Sequence, residues 1–508
     1  MSKRHGHDLR TYRRQVFDLD SDRVRMVFVR IIIDVRMASM VQADDKRLRR
    51  FFTPYHIAVV GASTKNHWFF NMVGHAQRLG FAGRFHPINP GAGEVCGIPA
   101  VAAIADLPDD LIDFAAVIVR SSRVLSTIEE LAGKGIRNVL LVSSGFSETG
   151  PEGKKLQEDL AAFCRDHDIM LMGPNCLGFM NVAGGTSVFA GGSVEGELVS
   201  GTIGIIGQSG AASEQMATKI LRKGLGISTY VTTGNEAVMT AEDCLEYLIA
   251  DGTTRVVAGF MEGFRDIPRL KRLALTAADR QIPIVLIKVG RSAKGVQAAA
   301  SHTGALAGNE RVMEAFLTQY GITRVDTIEE LVETAGIFSR CPLPRGGRLA
   351  VCNLSGGLAG MYADLCQSLS IELPDFSPST IAALREVLPE FAQPANPLDV
   401  TGSGFSSGMD RIVRIMLDDE NTDIILTLSF PPAAESDTWA LKLNESYMGV
   451  LRQARKPIVP VTFREVSDYA RRYYREHELY YVEHVRDGLR AIAHLIRYER
   501  FLRARFPR

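Results

Sequence analysis

Seven cysteines in 508 residues form no C-x-x-C pair and no regular framework. That excludes a disulfide scaffold and a thiolate metal site of the usual spacing. Cys96, Cys164, Cys176, Cys244, Cys341, Cys352 and Cys366 are odd in number and scattered, the pattern of reduced thiols in a cytoplasmic protein. Neither sign of charge is in excess: 58 Lys and Arg stand against 58 Asp and Glu. No nucleic acid and no membrane surface is therefore expected as the main partner. No apolar run reaches the roughly 18–20 residues that a bilayer span requires.

What is present is the ordinary content of a globular chain, 46% hydrophobic and 23% charged, at a length that calls for about two to four domains. Residues 1–47 stand apart. They are Arg-rich, their apolar stretch is broken by Arg30 and Asp34, and they read as a flexible N-terminal extension rather than a secretory signal. From Ile57 onward the pattern is strand, glycine-containing turn and helix, repeated. Continuous Val/Ile/Leu runs at 57–60, 114–119, 138–142 and 169–172 form a first series, as strands covered on both faces do. A second series starts at TIGIIGQSG (202–210) and passes through VVAGFME (256–262) and IPIVLIKVG (282–290) to 327–340; a third starts at GRLAVCNLSGG (347–357). Seams rich in Gly, Pro or Ser lie at 182–201 and 341–347. The expected architecture is α/β, in three consecutive domains at 48–181, 198–340 and 345–495.

Each domain opens with a strand, a turn of small residues and a helix: VVGAST (59–64), IIGQSGAAS (205–213) and CNLSGGLAG (352–360). A helix start offers free N–H groups and a partial positive charge, so such turns can hold phosphate, although glycine there also simply permits close strand–helix packing. The first turn lacks the second and third glycines of a dinucleotide fingerprint, and no clear acidic residue follows about 20 residues on. This argues against a dinucleotide-dependent oxidoreductase. The second places Ser209 between strand and helix, but Gly-Gln-Ser-Gly-Ala is not the G-x-S-x-G of a hydrolase elbow. A phosphate cradle at Ser209, Gly210 and the next N–H groups fits it better.

The segment Ser301-His302-Thr303-Gly304-Ala305-Leu306-Ala307-Gly308 sets one histidine among small residues after an apolar strand. No second ring or thiol stands beside it at metal-ligand spacing, so no metal site is expected. Small neighbours let the backbone approach a bulky charged group; an ordinary loop histidine is the other reading of the segment alone. An imidazole becomes a better nucleophile when a carboxylate fixes its tautomer. Glu262 ends the strand VVAGFME and should face the ligand crevice at the C-terminal strand ends. Glu236, in TTGNEA (232–237), is the second candidate.

SHTGALAG, GPNCLG (173–178), IGQSGA (206–211), TGNEA and MEGFRD (261–266) together resemble the NDP-forming acyl-CoA synthetases, which include ADP-forming acetyl-CoA synthetase and are related to succinyl-CoA synthetase. The resemblance runs from about residue 48 to 490. It implies a Rossmann-like CoA-binding domain followed by two flavodoxin-like domains of succinyl-CoA-synthetase type, the third being a ligase-CoA domain. It implies the reaction acid + ATP + CoA = acyl-CoA + ADP + phosphate, through an acyl phosphate and a phosphohistidine. His302 would be the phosphorylated nucleophile and Glu262 its orienting carboxylate. Ser209, Gly210, Ala211 and Gly304 would bind phosphate, and Gly61, Ala62, Ser63, Asn89, Pro90 and Asn175 would bind coenzyme A. The chain departs from the family after Gly61, where His67, Trp68, Phe69 and Phe70 replace a Pro-Gly-Ser-Val-Gly-like stretch. No ATP-grasp domain is found before the chain stops at Arg508. The resemblance thus implies an α-type subunit that meets ATP/ADP and Mg2+ through a separate ATP-grasp β-type subunit, in a homo- or hetero-oligomer acting on a small carboxylic acid. A CoA- or acyl-CoA-binding protein of the same fold without ligase activity is the competing reading.

Overall fold

Strands that are apolar at every position must be covered on both faces, which a parallel sheet flanked by helices provides. The computed structural model describes residues 46–91, 93–192, 194–295, 297, 310–402 and 408–506. The chain divides into two units, Met1–Arg50 and Phe51–Arg508. In the first, residues 46–50 are described and are helical. Among its described residues the second unit holds three larger, mainly parallel sheets and one two-stranded ladder.

The first sheet begins with β1 (His56–Val60) and β2 (Arg84–Ile88). A small antiparallel ladder of β3 (Glu94–Val95) and β4 (Ile98–Pro99) follows, then β5 (Phe114–Val117), β6 (Asn138–Leu141) and β7 (Met170–Met172). The main strands are all parallel, in the order β2-β1-β5-β6-β7. Helices α1 (His67–Arg78), α2 (Ser121–Gly133) and α3 (Pro151–Asp166) connect them. The strand order reverses at β1, so the ligand crevice of such a sheet lies outside the C-terminal ends of β1 and β5.

The second sheet runs β14-β13-β12-β10-β11-β8-β9. Its parallel part is β10 (Ser200–Gly207), β11 (Ile227–Thr232), β12 (Val256–Met261), β13 (Ile284–Lys288) and β14 (Ile322–Val325). Helices α4 (Gly210–Arg222), α5 (Ala241–Ala250), α6 (Ile267–Asp279), α7 (Glu310–Gln319) and α8 (Ile328–Arg340) belong to it. Within the stretch read as a seam, β9 (Thr186–Phe189) is a strand that pairs antiparallel with β8 (Gly178–Asn181), just before the seam, and β8 pairs antiparallel with β11. The chain leaving the first sheet thus returns as a hairpin that covers what would otherwise be the exposed edge of β11.

The third sheet is parallel, in the order β16-β15-β17-β18, from β15 (Leu349–Asn353), β16 (Leu398–Asp399), β17 (Ile424–Leu428) and β18 (Ile458–Val461). Its helices are α9 (Gly356–Ser368), α10 (Pro378–Arg385), α11 (Met409–Asp418), α12 (Thr438–Gln453), α13 (Asp468–Glu476) and α14 (Val485–Arg505). The first sheet has its own core, with Val60, Val117, Leu141 and Leu171 buried together. The second and third share one: Ile205 and Ala258 join Val351 and Ile424 through Leu331 of α8 and Leu489 and Ile492 of α14. A buried Lys223–Glu333 ion pair lies at this junction, and the Tyr480 hydroxyl donates to Glu333 Oε2 at 2.7 Å. Among the described residues no helix is long and apolar enough to cross a membrane.

Candidate active site

The C-terminal ends of β10, β11 and β12 stand side by side, and Gln208, the first residue after β10, ties them together. Its amide Nε2 donates to Glu236 Oε1 and to the Gly263 carbonyl, each at 2.8 Å. Its Oε1 accepts the backbone N–H groups of Glu262 at 2.5 Å and Gly263 at 3.0 Å. All four bonding positions of one buried amide are thereby used, and the end of β12, with Glu262, is fixed against the start of α4. Glu262 is 8% exposed. Lys288 ends the neighbouring β13, in register with Met261. Burial, with the nearby Arg324, holds the Lys288 ammonium below its usual value, against the fields of Glu310 and Glu262.

Glu236 follows β11 in the left-handed region, φ +58, a conformation that costs a non-glycine residue roughly 1–3 kcal/mol and must be held by its surroundings. Those surroundings are the Gln208 amide, the Thr233 hydroxyl at 2.9 Å and the Ala241 N–H at 3.1 Å, all on Oε1. The Arg265 guanidinium reaches Oε2 from the surface at 3.4 Å. Burial outweighs these partners and pushes the Glu236 carboxyl up to about 7. Glu242 accepts the backbone N–H groups of Arg265 and Asp266 at 2.8 and 3.0 Å, which fixes the loop that carries Arg265.

Ser209 is the N-cap residue of α4, and its side chain makes no capping bond. The first N–H groups of this 13-residue helix, at Gly210 and Ala211, therefore open toward the same strand ends, as an anion site needs. The GPNCLG segment packs beside them. A Cβ on Gly234, φ +63, would lie 2.3 Å from the Pro174 carbonyl oxygen, so only glycine lets TGNEA approach this segment. Asn175, itself at φ +55, donates to Asn235 Oδ1 at 3.4 Å. Asn235 Nδ2 donates to Glu148 Oε2 at 2.5 Å and Gln157 Oε1 at 3.1 Å. Against the effect of burial, this bond and the Gly145 and Phe146 amides hold Glu148 below the usual carboxylate range. The chain of amides and carboxylates joins the first sheet's loops to the second sheet's ligand edge.

At the first sheet, Gly61 has φ +83, and a Cβ there would meet the Ile118 carbonyl oxygen at 2.4 Å. The turn is pinned by Asn89, whose Nδ2 donates to the Ala62 carbonyl at 2.8 Å. Asn66 caps α1 by accepting from the Phe69 N–H at 3.5 Å. The residues that break the family's glycine pattern thus form the first turn of α1: Phe69 is buried against Phe85, while Phe70 is 66% exposed. Ser63 is half-buried and Pro90 exposed at this crevice.

The structure therefore gathers Gly61, Ala62, Ser63, Asn89 and Pro90 at one edge, and Ser209, Gly210, Ala211, Glu236 and Glu262 at another, with Asn175 bonded to the second group. His302 and Gly304 lie outside the described residues. Gln208, Arg265, Glu242, Asn235 and Glu148 were not singled out from sequence; Gln208, Asn235 and Arg265 sit inside motifs whose other members drew attention. Among the described residues no group of three His, Cys, Asp or Glu could hold a metal ion.

Residues 55–182 match the family described as CoA binding domain, and residues 200–338 the one described as Succinyl-CoA ligase like flavodoxin domain. The alpha subunit of Acetate–CoA ligase [ADP-forming] II from Pyrococcus furiosus is 31% identical over 392 residues, 75% of this chain and 82% of that subunit. This chain belongs to the ADP-forming acyl-CoA synthetase family. Acetate–CoA ligase [ADP-forming] I of Archaeoglobus fulgidus is 34% identical over 403 residues, 79% of this chain; the chain spans 57% of that relative's length. The apo dinucleotide forming acetyl-coenzyme A synthetase 1 of Ca. Korarchaeum cryptofilum superposes with a TM-score of 0.80 at 25% identity, covering 91% of this chain and 100% of that one. The family membership gives the two strand-edge clusters their context: a CoA-binding sheet followed by a succinyl-CoA-ligase-like sheet.

Proposed function

We propose that this chain is the α-type part of an ADP-forming acyl-CoA synthetase: small carboxylic acid + ATP + CoA = acyl-CoA + ADP + phosphate. The observation that carries the proposal is the Gln208 clamp, which fixes Glu262 and Glu236 beside the open helix start at Gly210. The His302 segment follows β13 of the same sheet. In the proposed sequence, His302 takes the γ-phosphoryl group of ATP as an N–P bond forms and the bond to ADP breaks. The acid's carboxylate then attacks that phosphorus, giving an acyl phosphate and free imidazole. The CoA thiol attacks the acyl carbon, loses its proton and releases phosphate. Glu262 accepts the hydrogen bond of the other imidazole nitrogen and orients the ring. The N–H groups at Gly210 and Ala211, with the Ser209 hydroxyl, receive the phosphoryl oxygens.

Coenzyme A suits the first sheet: the crevice at the strand-order switch point is lined by the backbone turn at Gly61–Ser63, which a Cβ at Gly61 would force against the Ile118 carbonyl, and by the strand-end Asn89. ATP and Mg2+ would enter on an ATP-grasp β-type partner, and the relatives' names span carboxylic acids from acetate to 4-hydroxybutyrate and ferulate. Free thiols at every described cysteine suit a cytoplasmic setting.

The test is incubation of the chain with its cognate ATP-grasp subunit and γ-labelled ATP. Acid-labile label is expected on His302, with synthetase turnover about a hundredfold or more lower in His302→Asn. Full activity in that variant would sink the shuttle.

A further inference from the structure

Beside the C-terminal end of β14, the start of α8, the turn after α9 and one face of α14 enclose a cleft of about 480 Å3. Its lining is strongly cationic. Two of its arginines are already neutralised: Arg324 pairs with Glu310 at 2.5 Å and Glu314 at 2.9 Å, and Arg291 pairs with Asp326. Arg490 pairs with the buried Glu330 at 3.3 Å. Arg497 and Arg500 also line the cleft, are exposed, and form no ion pair among the described residues.

Arg497 is nevertheless held in place. Its Nη2 donates to His494 Nδ1 at 2.6 Å, and His494 Nε2 lies 2.9 Å from Glu330 Oε1. Arginine can only donate, so Nδ1 accepts, and the imidazole proton must sit on Nε2, directed at Glu330. Glu330 is 4% exposed and is further fixed by the Asp326 N–H at 3.0 Å. A buried carboxylate thus sets a tautomer, and the tautomer sets a guanidinium that faces solvent with no carboxylate of its own. Ordering a long side chain costs up to about 2 kcal/mol of rotamer entropy, and here much of that ordering precedes any ligand. Positions three apart on a helix stand about 5–6 Å apart at Cβ, so Arg497 and Arg500 present two forks one turn apart. Leu369 and Ile371 give the facing wall an apolar surface.

We propose that this cleft binds a diphosphate-bearing anion of the nucleoside diphosphate class, the phosphoryl groups on Arg497 and Arg500 and the nucleoside on the Leu369–Ile371 wall. Guanidinium forks match phosphoryl oxygens two at a time, which suits linked phosphates better than a single small anion. The cleft shares no lining residue with the Gln208–Glu262 edge and joins the second and third sheets.

The test is calorimetric titration of the full chain at low ionic strength with pyrophosphate, ADP and CoA in separate runs. ADP is expected to bind one-to-one and more tightly than pyrophosphate. Arg497→Ala/Arg500→Ala should weaken both at least about tenfold, while Ser209→Ala and His302→Asn leave the ADP affinity unchanged. The second pair separates this site from the proposed phosphoryl-transfer edge, so either proposal can fail alone. Should the alanine pair melt early, Arg497→Lys/Arg500→Lys keeps the charge and loses the forks, and a several-fold weakening is expected. CoA binding that falls in parallel with ADP would make the CoA nucleotide a second source of the same ligand. Absence of ADP binding, affinity unchanged in both double variants, or loss in Ser209→Ala equal to that in the double variant would each overturn the proposal.

Discussion

The turn that leaves β1 and the turn that leaves β10 occupy equivalent places in two sheets whose parallel strands have the same order, yet they are held by different means. At Gly61 it is backbone groups that are held: its N–H bonds the Ile88 carbonyl, and the Asn89 side-chain amide donates to the Ala62 carbonyl. At Gln208 a buried side-chain amide does it, bonding the Glu236 carboxylate and the Glu262 and Gly263 backbone, with the part-exposed Arg265 guanidinium on Glu236. A backbone cradle accepts a ligand without changing its own charge. A carboxylate web can shift protons and orient an imidazole, but it carries the desolvation cost of its charges. The same topology therefore supports two ligand edges of different chemical character.

Three measurements would break or sharpen this contrast. The largest effect is expected at the backbone-held turn: Gly61→Ala combines left-handed strain with a clash against the Ile118 carbonyl, roughly 4 kcal/mol in all. Chemical denaturation would read it, and a loss under about 1 kcal/mol would show that the cradle is not rigid. Next is the charge stored at Glu236. Its carboxyl rises from its ordinary 4.5 to about 7 on folding, so the folded state takes up a proton between those values. The associated stability is fully present below about 4.5 and lost as pH rises through about 7, a span of about 3 kcal/mol. Glu236→Gln cannot ionise, so its melting temperature should gain on the parent steadily from pH 5 to 8; parallel curves would remove the buried-charge account. The smallest effect is on turnover. Gln208→Ala should lower kcat about tenfold to a hundredfold, roughly 2 kcal/mol, with KM for CoA unchanged. An unchanged kcat, or a loss confined to the CoA KM, would mean that the clamp does not position Glu262.

Much of the scaffold could be read from the chain because doubly covered strands announce themselves as unbroken apolar runs, as at Val59–Val60, Ile203–Ile206 and Ile284–Ile287. The hairpin of β8 and β9 escaped notice because its strands are four residues each and lie among glycines; what makes them strands is the edge of β11. Glu262 could be picked out because a carboxylate at a strand end faces the crevice. Gln208 could not, since an uncharged amide gives no signal until its four partners are in place. Glu148 and Asn235 are 87 residues apart in the chain, and their contact arises only from how two sheets pack. The arginine cleft likewise assembles residues from 291 to 500, which no local pattern relates.

The core common to the second and third sheets bears on how genes for such chains can be cut and rejoined. The Pro- and Gly-containing stretch at 341–347 looks like a natural breakpoint, yet Leu331 and Ala335 before it and Leu489, Ile492 and Leu495 after it occupy one apolar interior. Severed there, each half would present a large oily face to water, and the buried Lys223–Glu333 pair would lose the Tyr480 hydroxyl that donates to it. The two sheets should therefore be inherited, expressed and unfolded as one piece, and a rearrangement that respects their stability has to cut outside the pair.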